Sequence, residues 1–106
     1  MDSYSTNYKL LERKVRITNS NGMHARPATK FAEIANKYSS EIRIKTKNKE
    51  VEGKSVIDVL TLGAENGTEI VISAKGPDAA EALDALEGLV KSKFEEEFME
   101  IRKGIA

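Results

Sequence analysis

The stretch NGMHARPATKF, residues 21–31, marks the point where the sequence changes from a strand-like to a helix-like pattern. Before it, KVRIT (14–18) alternates polar and apolar residues, as a half-buried strand does. Pro27 suits the first turn of a helix because its missing N–H needs no partner there and its fixed φ is already helical. From Ala25 to about Lys37 the apolar positions follow helical spacing. These positions are Ala28, Phe31, Ala32 and Ala35.

Strand-like and helix-like segments alternate along the rest of the chain. The further predicted elements are strand EIRIKT (41–46), a short strand near residues 50–52, a short helix in GKSVIDVLTLG (53–63), strand EIVIS (69–73) and a helix that starts at GPD (76–78). Each strand shows one apolar face, so helices should cover one side of a sheet and leave the other side to water. The order β-α-β-β-α-β-α therefore predicts an α+β fold, an open-faced two-layer sandwich.

The two ends of the chain depart from this pattern. Residues 1–10 begin with the polar stretch MDSYSTNY, which predicts a flexible N-terminal extension. Residues 94–106 keep helical spacing and predict a C-terminal helical extension of the last helix. Its apolar positions are Phe94, Phe98 and Ile101. Whether this stripe packs on the body or meets another molecule stays open, and residues 11–93 remain as the folded domain.

The composition excludes several kinds of protein and site. The 106-residue chain has 17 basic and 17 acidic residues, so it offers no net positive charge for nucleic acid. The absence of cysteine excludes disulfides, thiolate chemistry and cysteine-ligated zinc. One histidine without a close pair of carboxylates lacks the ligands of a metal site. No apolar run approaches about 20 residues, so we expect a cytoplasmic protein that does not enter a membrane.

His24, the only histidine, falls beside the predicted start of the first helix. The first N–H groups of a helix have no partner inside it, and together with the positive end of the helix dipole they bind phosphate well. Arg26 adds a permanent charge in a planar fork that suits phosphate, and Gly22 frees the preceding turn. Polar, exposed contacts of this kind would let a phosphoryl group be received and given away. A surface histidine or a plain cap fits the same position, so the local pattern leaves both interpretations open.

Two motifs raise the phosphoryl interpretation above that alternative. GMHARPAT resembles the active-site segment of HPr, the histidine-containing phosphocarrier of the phosphoenolpyruvate-dependent sugar phosphotransferase system. The resemblance continues through GKSVIDVLTLGAENGTEIVISAKGPDAAEAL and covers approximately residues 12–93. It implies a four-stranded antiparallel sheet with three helices on one face.

The resemblance also implies a role for each motif residue. His24 would take a phosphoryl group from phosphorylated enzyme I on its Nδ1 and pass it to the IIA domains of sugar transporters. Arg26 would assist the phosphate, while Pro27 and the amides of Ala25 and Arg26 would shape the helix end. The protein would then be a carrier and not an enzyme that turns over alone. Magnesium and phosphoenolpyruvate would belong to enzyme I, so we expect no cofactor in this chain.

Ser55 opens the second predicted helix, where with Asp58 it resembles a capping box. In many bacteria the matching serine of the family is phosphorylated by an HPr kinase/phosphorylase. Relatives in other bacteria carry a serine there without such a kinase. Regulation through Ser55 is therefore a hypothesis that the sequence leaves open.

The short helix after Ser55 has more apolar residues than it can bury against one sheet face. We expect Val59 and Leu62 to face inward. The others should form a small exposed patch near His24, which together with Lys30 on the first helix would dock partner proteins. These patch residues are Val56, Ile57 and Leu60. The alternative is that they fill the edge of the core.

Two other functions compete with the sugar-system carrier. The first is a carrier of the nitrogen-related branch, which has a similar histidine motif and reports to regulation instead of transport. The second is a serine-phosphorylated co-regulator of a transcription factor. The family member with that role lacks the motif histidine, whereas His24 and Arg26 are both present here. We expect a monomer whose partners are enzyme I and IIA domains, with the kinase and a transcription regulator as further candidates.

Overall fold

The computed structural model describes residues 7–95. Residues 1–6 and 96–106, which hold most of the two predicted extensions, lie outside the described part of the chain. Phe98 and Ile101 belong to this outer part, so their expected helical stripe stays a prediction.

Within residues 7–95, four strands and three α-helices form an open-faced sandwich, which confirms the predicted fold. The strands are β1 (Leu11–Arg16), β2 (Glu41–Lys45), β3 (Glu50–Glu52) and β4 (Glu69–Lys75). The helices are α1 (Ala25–Ala35), α2 (Val56–Leu60) and α3 (Ala79–Lys91). The sheet order is β1-β4-β2-β3, and every neighbouring pair is antiparallel. Strand β1 starts earlier than the alternating pattern predicted, because its pairing with β4 continues to Leu11 opposite Ala74.

The core lies between the sheet and the helices. Alternate residues of the strands point toward the helices, and Ile42, Ile44 and Ile72 are fully buried there. Phe31 on α1 and Leu86 on α3 close the core from the helix side. Each such side chain contributes about 1.5–3 kcal/mol by leaving water. The four apolar positions predicted for α1 are all buried, so its inward face agrees with the sequence pattern.

Helix α3 ends at Lys91, and the chain then enters a left-handed turn instead of continuing as an α-helix. Lys93, Phe94 and Glu95 have φ values of 59°, 55° and 63°, in the left-handed region. The predicted continuation of α3 through Phe94 is therefore wrong. The turn brings Phe94 into the core, where its side chain is fully buried. A left-handed residue costs about 1–2 kcal/mol, so burial of this phenyl ring offsets part of the strain.

A carboxylate joins the end of the loop after α1 to the start of α3. Asp78 sits at the N-cap position of α3, but its side chain does not cap that helix. One carboxylate oxygen accepts a hydrogen bond from the Ser39 amide at 2.9 Å, and the other accepts from the Ser40 amide at 2.9 Å. The Ser40 hydroxyl also donates to Asp78. These bonds, the one from the Ser40 hydroxyl first, lower the pKa of Asp78 to about 2.

The Asp78 contacts predict an acid-sensitive contribution to stability. Because the pKa is about 2 in the folded protein and 3.8 as a free group, the unfolded chain binds more protons between these values. The contribution should be complete above about pH 5 and should disappear as the pH falls from about 4 to about 2. Asp78→Asn should abolish this part of the pH dependence, as measured by urea unfolding at several pH values. Glu81→Gln, an exposed charge change on the same helix, serves as the control and should keep it.

Candidate functional site

The turn before α1 holds His24 in place through a close backbone approach. Gly22 has φ of 67°, and a side chain there would place its Cβ 2.5 Å from the Ala64 carbonyl oxygen. Only glycine fits both the conformation and the space. The next amide, that of Met23, donates a hydrogen bond of 2.8 Å to the same Ala64 carbonyl. The loop after α2 therefore fixes the backbone immediately before His24.

His24 is the N-cap residue of α1, with extended backbone angles φ −89° and ψ −168°. Its carbonyl accepts the first hydrogen bond of the helix, from the Ala28 amide at 3.0 Å. The amides of Ala25 and Arg26 precede that bond, and Pro27 has no N–H, so these two amides stand at the positive end of the helix. The imidazole is half-buried and the Arg26 side chain is exposed. An anionic group on the imidazole would meet the amides and the guanidinium together.

A shallow cleft on the first two turns of α1 contains the predicted site. Its lining residues are His24, Ala25, Arg26, Thr29, Lys30 and Glu33. Thr29 and Glu33 were missed by the sequence analysis, although their helical spacing from Arg26 places them on its face. The Thr29 hydroxyl donates to the Ala25 carbonyl at 2.8 Å. Lys30 Nζ donates to the Phe94 carbonyl at 3.0 Å and lies 3.8 Å from a Glu95 carboxylate oxygen.

Ser55 is the N-cap of α2, as predicted. Its hydroxyl oxygen accepts a hydrogen bond from the Asp58 amide at 3.2 Å. The Lys54 carbonyl accepts a hydrogen bond of 2.9 Å from the side chain of Asn36, the C-cap residue of α1. Ser55 therefore lies near the end of α1, whereas His24 lies at its start. The 11 residues of α1 separate these two ends by about 16 Å.

Helix α2 returns toward the His24 segment and exposes part of its apolar surface. Val59 is fully buried and Leu62 packs against the core, as predicted. The Ile57 side chain is 72% exposed and Leu60 is 37% exposed. Val56, which we expected to be equally exposed, is half-buried and packs against the core. Ile57 and Leu60 therefore form the exposed patch, with Val56 at its edge.

The described residues 7–95 contain no group of three or more histidine, cysteine, aspartate or glutamate side chains placed to hold a metal ion. In the same residues, no helix has the length and apolar character needed to cross a membrane.

Comparison with known proteins gives consistent matches over the folded part of the chain. Residues 11–92 match the family described as the PTS HPr component phosphorylation site. The phosphocarrier protein NPr of Shewanella violacea is 44% identical over 86 residues, which cover 81% of this chain and 94% of that protein. The crystal structure of HPr-C-His from Thermoanaerobacter tengcongensis has a TM-score of 0.78 and 42% identity, with coverage of 81% of this chain and 97% of that one.

A third match concerns a protein with a different name. The Bacillus subtilis catabolite repression protein Crh, described as a domain-swapped dimer, has a TM-score of 0.64 and 33% identity. The match covers 77% of this chain and 94% of that one. The family match includes the segment that carries His24, and the four-stranded fold agrees with those of the solved structures. The chain therefore belongs to the HPr family of phosphocarrier proteins of the phosphotransferase system.

Proposed function

We propose that His24 accepts a phosphoryl group on Nδ1 from phosphorylated enzyme I and passes it to IIA domains of sugar transporters. The observation that carries this proposal is the position of His24 at the N-cap of α1. The chain acts as a carrier: it is consumed and regenerated in each transfer and does not turn over alone. Phosphoenolpyruvate and magnesium act on enzyme I, before the group reaches this protein.

The transfer needs only the neutral imidazole and a site for three phosphoryl oxygens. The Nδ1 lone pair forms the new bond to phosphorus while the bond between phosphorus and the donor breaks, and the donor keeps that electron pair. The amides of Ala25 and Arg26 can donate to the phosphoryl oxygens, and the Arg26 guanidinium can add a charge-assisted bond. The cleft is shallow and Arg26 is exposed, so an acceptor can approach the phosphorylated His24 as easily as the donor approaches the free one.

The nitrogen-related branch is a second candidate for the same chemistry. The observation in its favour is the 44% identity to the NPr of Shewanella violacea, against 33–38% for the HPr proteins of Cupriavidus necator, Treponema pallidum, Vibrio cholerae and Neisseria meningitidis and 42% for that of Thermoanaerobacter tengcongensis. His24 and Arg26 would act in the same way in either branch, so the donor and the acceptors distinguish them. A co-regulator role, suggested by the likeness to Crh, would use Ser55 instead.

We expect His24 to be the residue that carries the phosphoryl group. Purified protein, phosphoenolpyruvate, Mg²⁺ and enzyme I of either branch should give one phosphoryl adduct in the intact mass, which is lost in acid. His24→Ala should give no adduct. Arg26→Ala should slow the transfer about 10- to 100-fold, since one charged hydrogen-bonding partner is removed. No adduct with either enzyme I would contradict the carrier function, and the faster donor would identify the branch.

The Ile57–Leu60 patch is the surface through which we propose that enzyme I and IIA domains dock, beside Lys30 on α1. Ile57→Asn should slow transfer from phosphorylated enzyme I by about fivefold or more, because an exposed apolar anchor is lost. The free energy of unfolding should change by only about 0.5 kcal/mol, since the side chain is largely exposed.

The docking test has two controls. Phosphoramidate, a small donor that needs no docking, should phosphorylate Ile57→Asn at the wild-type rate. Leu10→Asn changes an exposed apolar residue directly before β1 and should leave transfer from enzyme I unchanged. Equal enzyme I rates for Ile57→Asn and wild type would remove Ile57 from the docking surface.

Ser55 is our proposed site for regulatory phosphorylation by an HPr kinase/phosphorylase. The half-buried Ser55 hydroxyl already accepts a hydrogen bond from the Asp58 amide, and a phosphate there would keep that partner. The Asp58 carboxylate in the same turn would repel the phosphate. With ATP and the kinase, wild-type protein should gain one phosphoryl group and Ser55→Ala none. Ser55→Ala should also lower the free energy of unfolding by about 0.5–2 kcal/mol through the lost cap. Equal phosphate incorporation by the variant and the wild type would exclude this site.

A further inference from the structure

Lys30 is in contact with both the cleft of His24 and the turn after α3. Lys30 lies one helical turn after Arg26 and lines the cleft with it and with His24. Its ammonium group donates to the Phe94 carbonyl at 3.0 Å and lies 3.8 Å from the Glu95 carboxylate. The turn after α3 therefore holds Lys30, which is the second cationic side chain of the cleft besides Arg26.

The turn that holds Lys30 is fixed by packing and not by its own backbone preference. Three successive non-glycine residues, 93–95, adopt positive φ, and such strain persists only where the surroundings enforce it. Phe94 is fully buried, and the Glu95 amide donates to the Ser92 carbonyl at 2.9 Å. These contacts fix the Phe94 carbonyl and direct Glu95 toward α1. The packing of this turn therefore places the Glu95 carboxylate beside Lys30.

The two contacts of Lys30 differ in strength. The bond to the Phe94 carbonyl is short and partly buried, whereas the pair with Glu95 is long and its carboxylate is 64% exposed. An ion pair this exposed is weak and is screened by salt. A phosphoryl group carries about two negative charges and three strong acceptor oxygens, so it can compete with one carboxylate for the ammonium group.

We propose that the Lys30 ammonium group binds the phosphoryl group on His24, and that Glu95 competes with that group for Lys30. The inference rests on the proposed function of His24. In the unphosphorylated protein Lys30 is engaged by the turn. When the phosphoryl group arrives, the ammonium group turns from Glu95 toward the phosphoryl oxygens. Glu95 therefore lowers both the rate at which His24 receives the group and the stability of the phosphorylated form.

Phosphoramidate is a suitable probe because it reports on the cleft without a docking protein. In this reaction the Nδ1 lone pair of neutral His24 bonds to phosphorus, the P–N bond of phosphoramidate breaks, and ammonia leaves with that electron pair. The rate of phosphohistidine formation is measured by intact mass for wild type, Glu95→Gln, Lys30→Met and the double variant. Glu81→Gln makes the same charge change at the opposite end of α3 and is the matched control. Lys30→Arg tests whether charge alone restores the function if Lys30→Met loses stability.

The effects of the two substitutions should not be independent. Glu95→Gln should raise the rate about two- to fourfold, and 1 M salt should remove the gain. Lys30→Met should lower the rate, Lys30→Arg should retain it, and Glu81→Gln should leave it unchanged. In the double variant the rate should equal that of Lys30→Met, because Glu95 acts through Lys30. This equality distinguishes competition for Lys30 from a general effect of negative charge near the cleft.

Two other results are distinguishable from each other. If phosphohistidine forms at the same rate in wild type and Glu95→Gln, or if Glu95→Gln has the same effect with and without Lys30, the inference is wrong and the carrier function stands. If no variant and no wild-type protein forms phosphohistidine, the carrier function is contradicted and the inference is lost with it.

Discussion

The contact between Gly22 and the loop at Ala64 is the constraint on which the site depends. It places a segment that follows β1 directly against a segment that follows α2, and the Met23 amide completes it by donating to the Ala64 carbonyl at 2.8 Å. Without this contact, the backbone before His24 would not be held in one position. With it, the imidazole stands at a defined position in front of the amides of α1. The chemistry of the site is thus prepared by backbone packing, and its side chains add charge.

Much of this arrangement could be predicted because it depends on local pattern. Helical spacing located the buried face of α1, alternation located the strands, and the histidine before Arg-Pro located the cap of the first helix. The strand order could not be obtained from pattern alone, since the pairing of β1 with β4 joins segments far apart in the chain. The resemblance to HPr supplied the antiparallel sheet, and the structure agrees with it.

The sequence pattern was wrong where tertiary contacts override local preference. Spacing continued the last helix through Phe94, because a phenylalanine at that interval looks like one more member of an apolar stripe. The Phe94 ring instead enters the core from a left-handed turn, a conformation that no residue propensity favours. The same turn creates the contacts of Lys30 with Phe94 and Glu95, which lie 64 and 65 positions further along the chain, so no local motif could have predicted them. For Val56 the alternative of a place at the edge of the core, which the sequence left open, agrees with its packing.

The central position of β4 has a consequence for how the chain folds during synthesis. Strand β4 is the last of the four to be made, yet it lies between β1 and β2 and pairs with both. Until it emerges, β1 has no neighbour and β2 has only β3, so the growing chain displays unpaired strand edges. Loop closure must then join Leu11 to Ala74, a long-range contact of the kind that slows folding. The β2–β3 pair can therefore form early, but β1 can join the sheet only after β4 has left the ribosome.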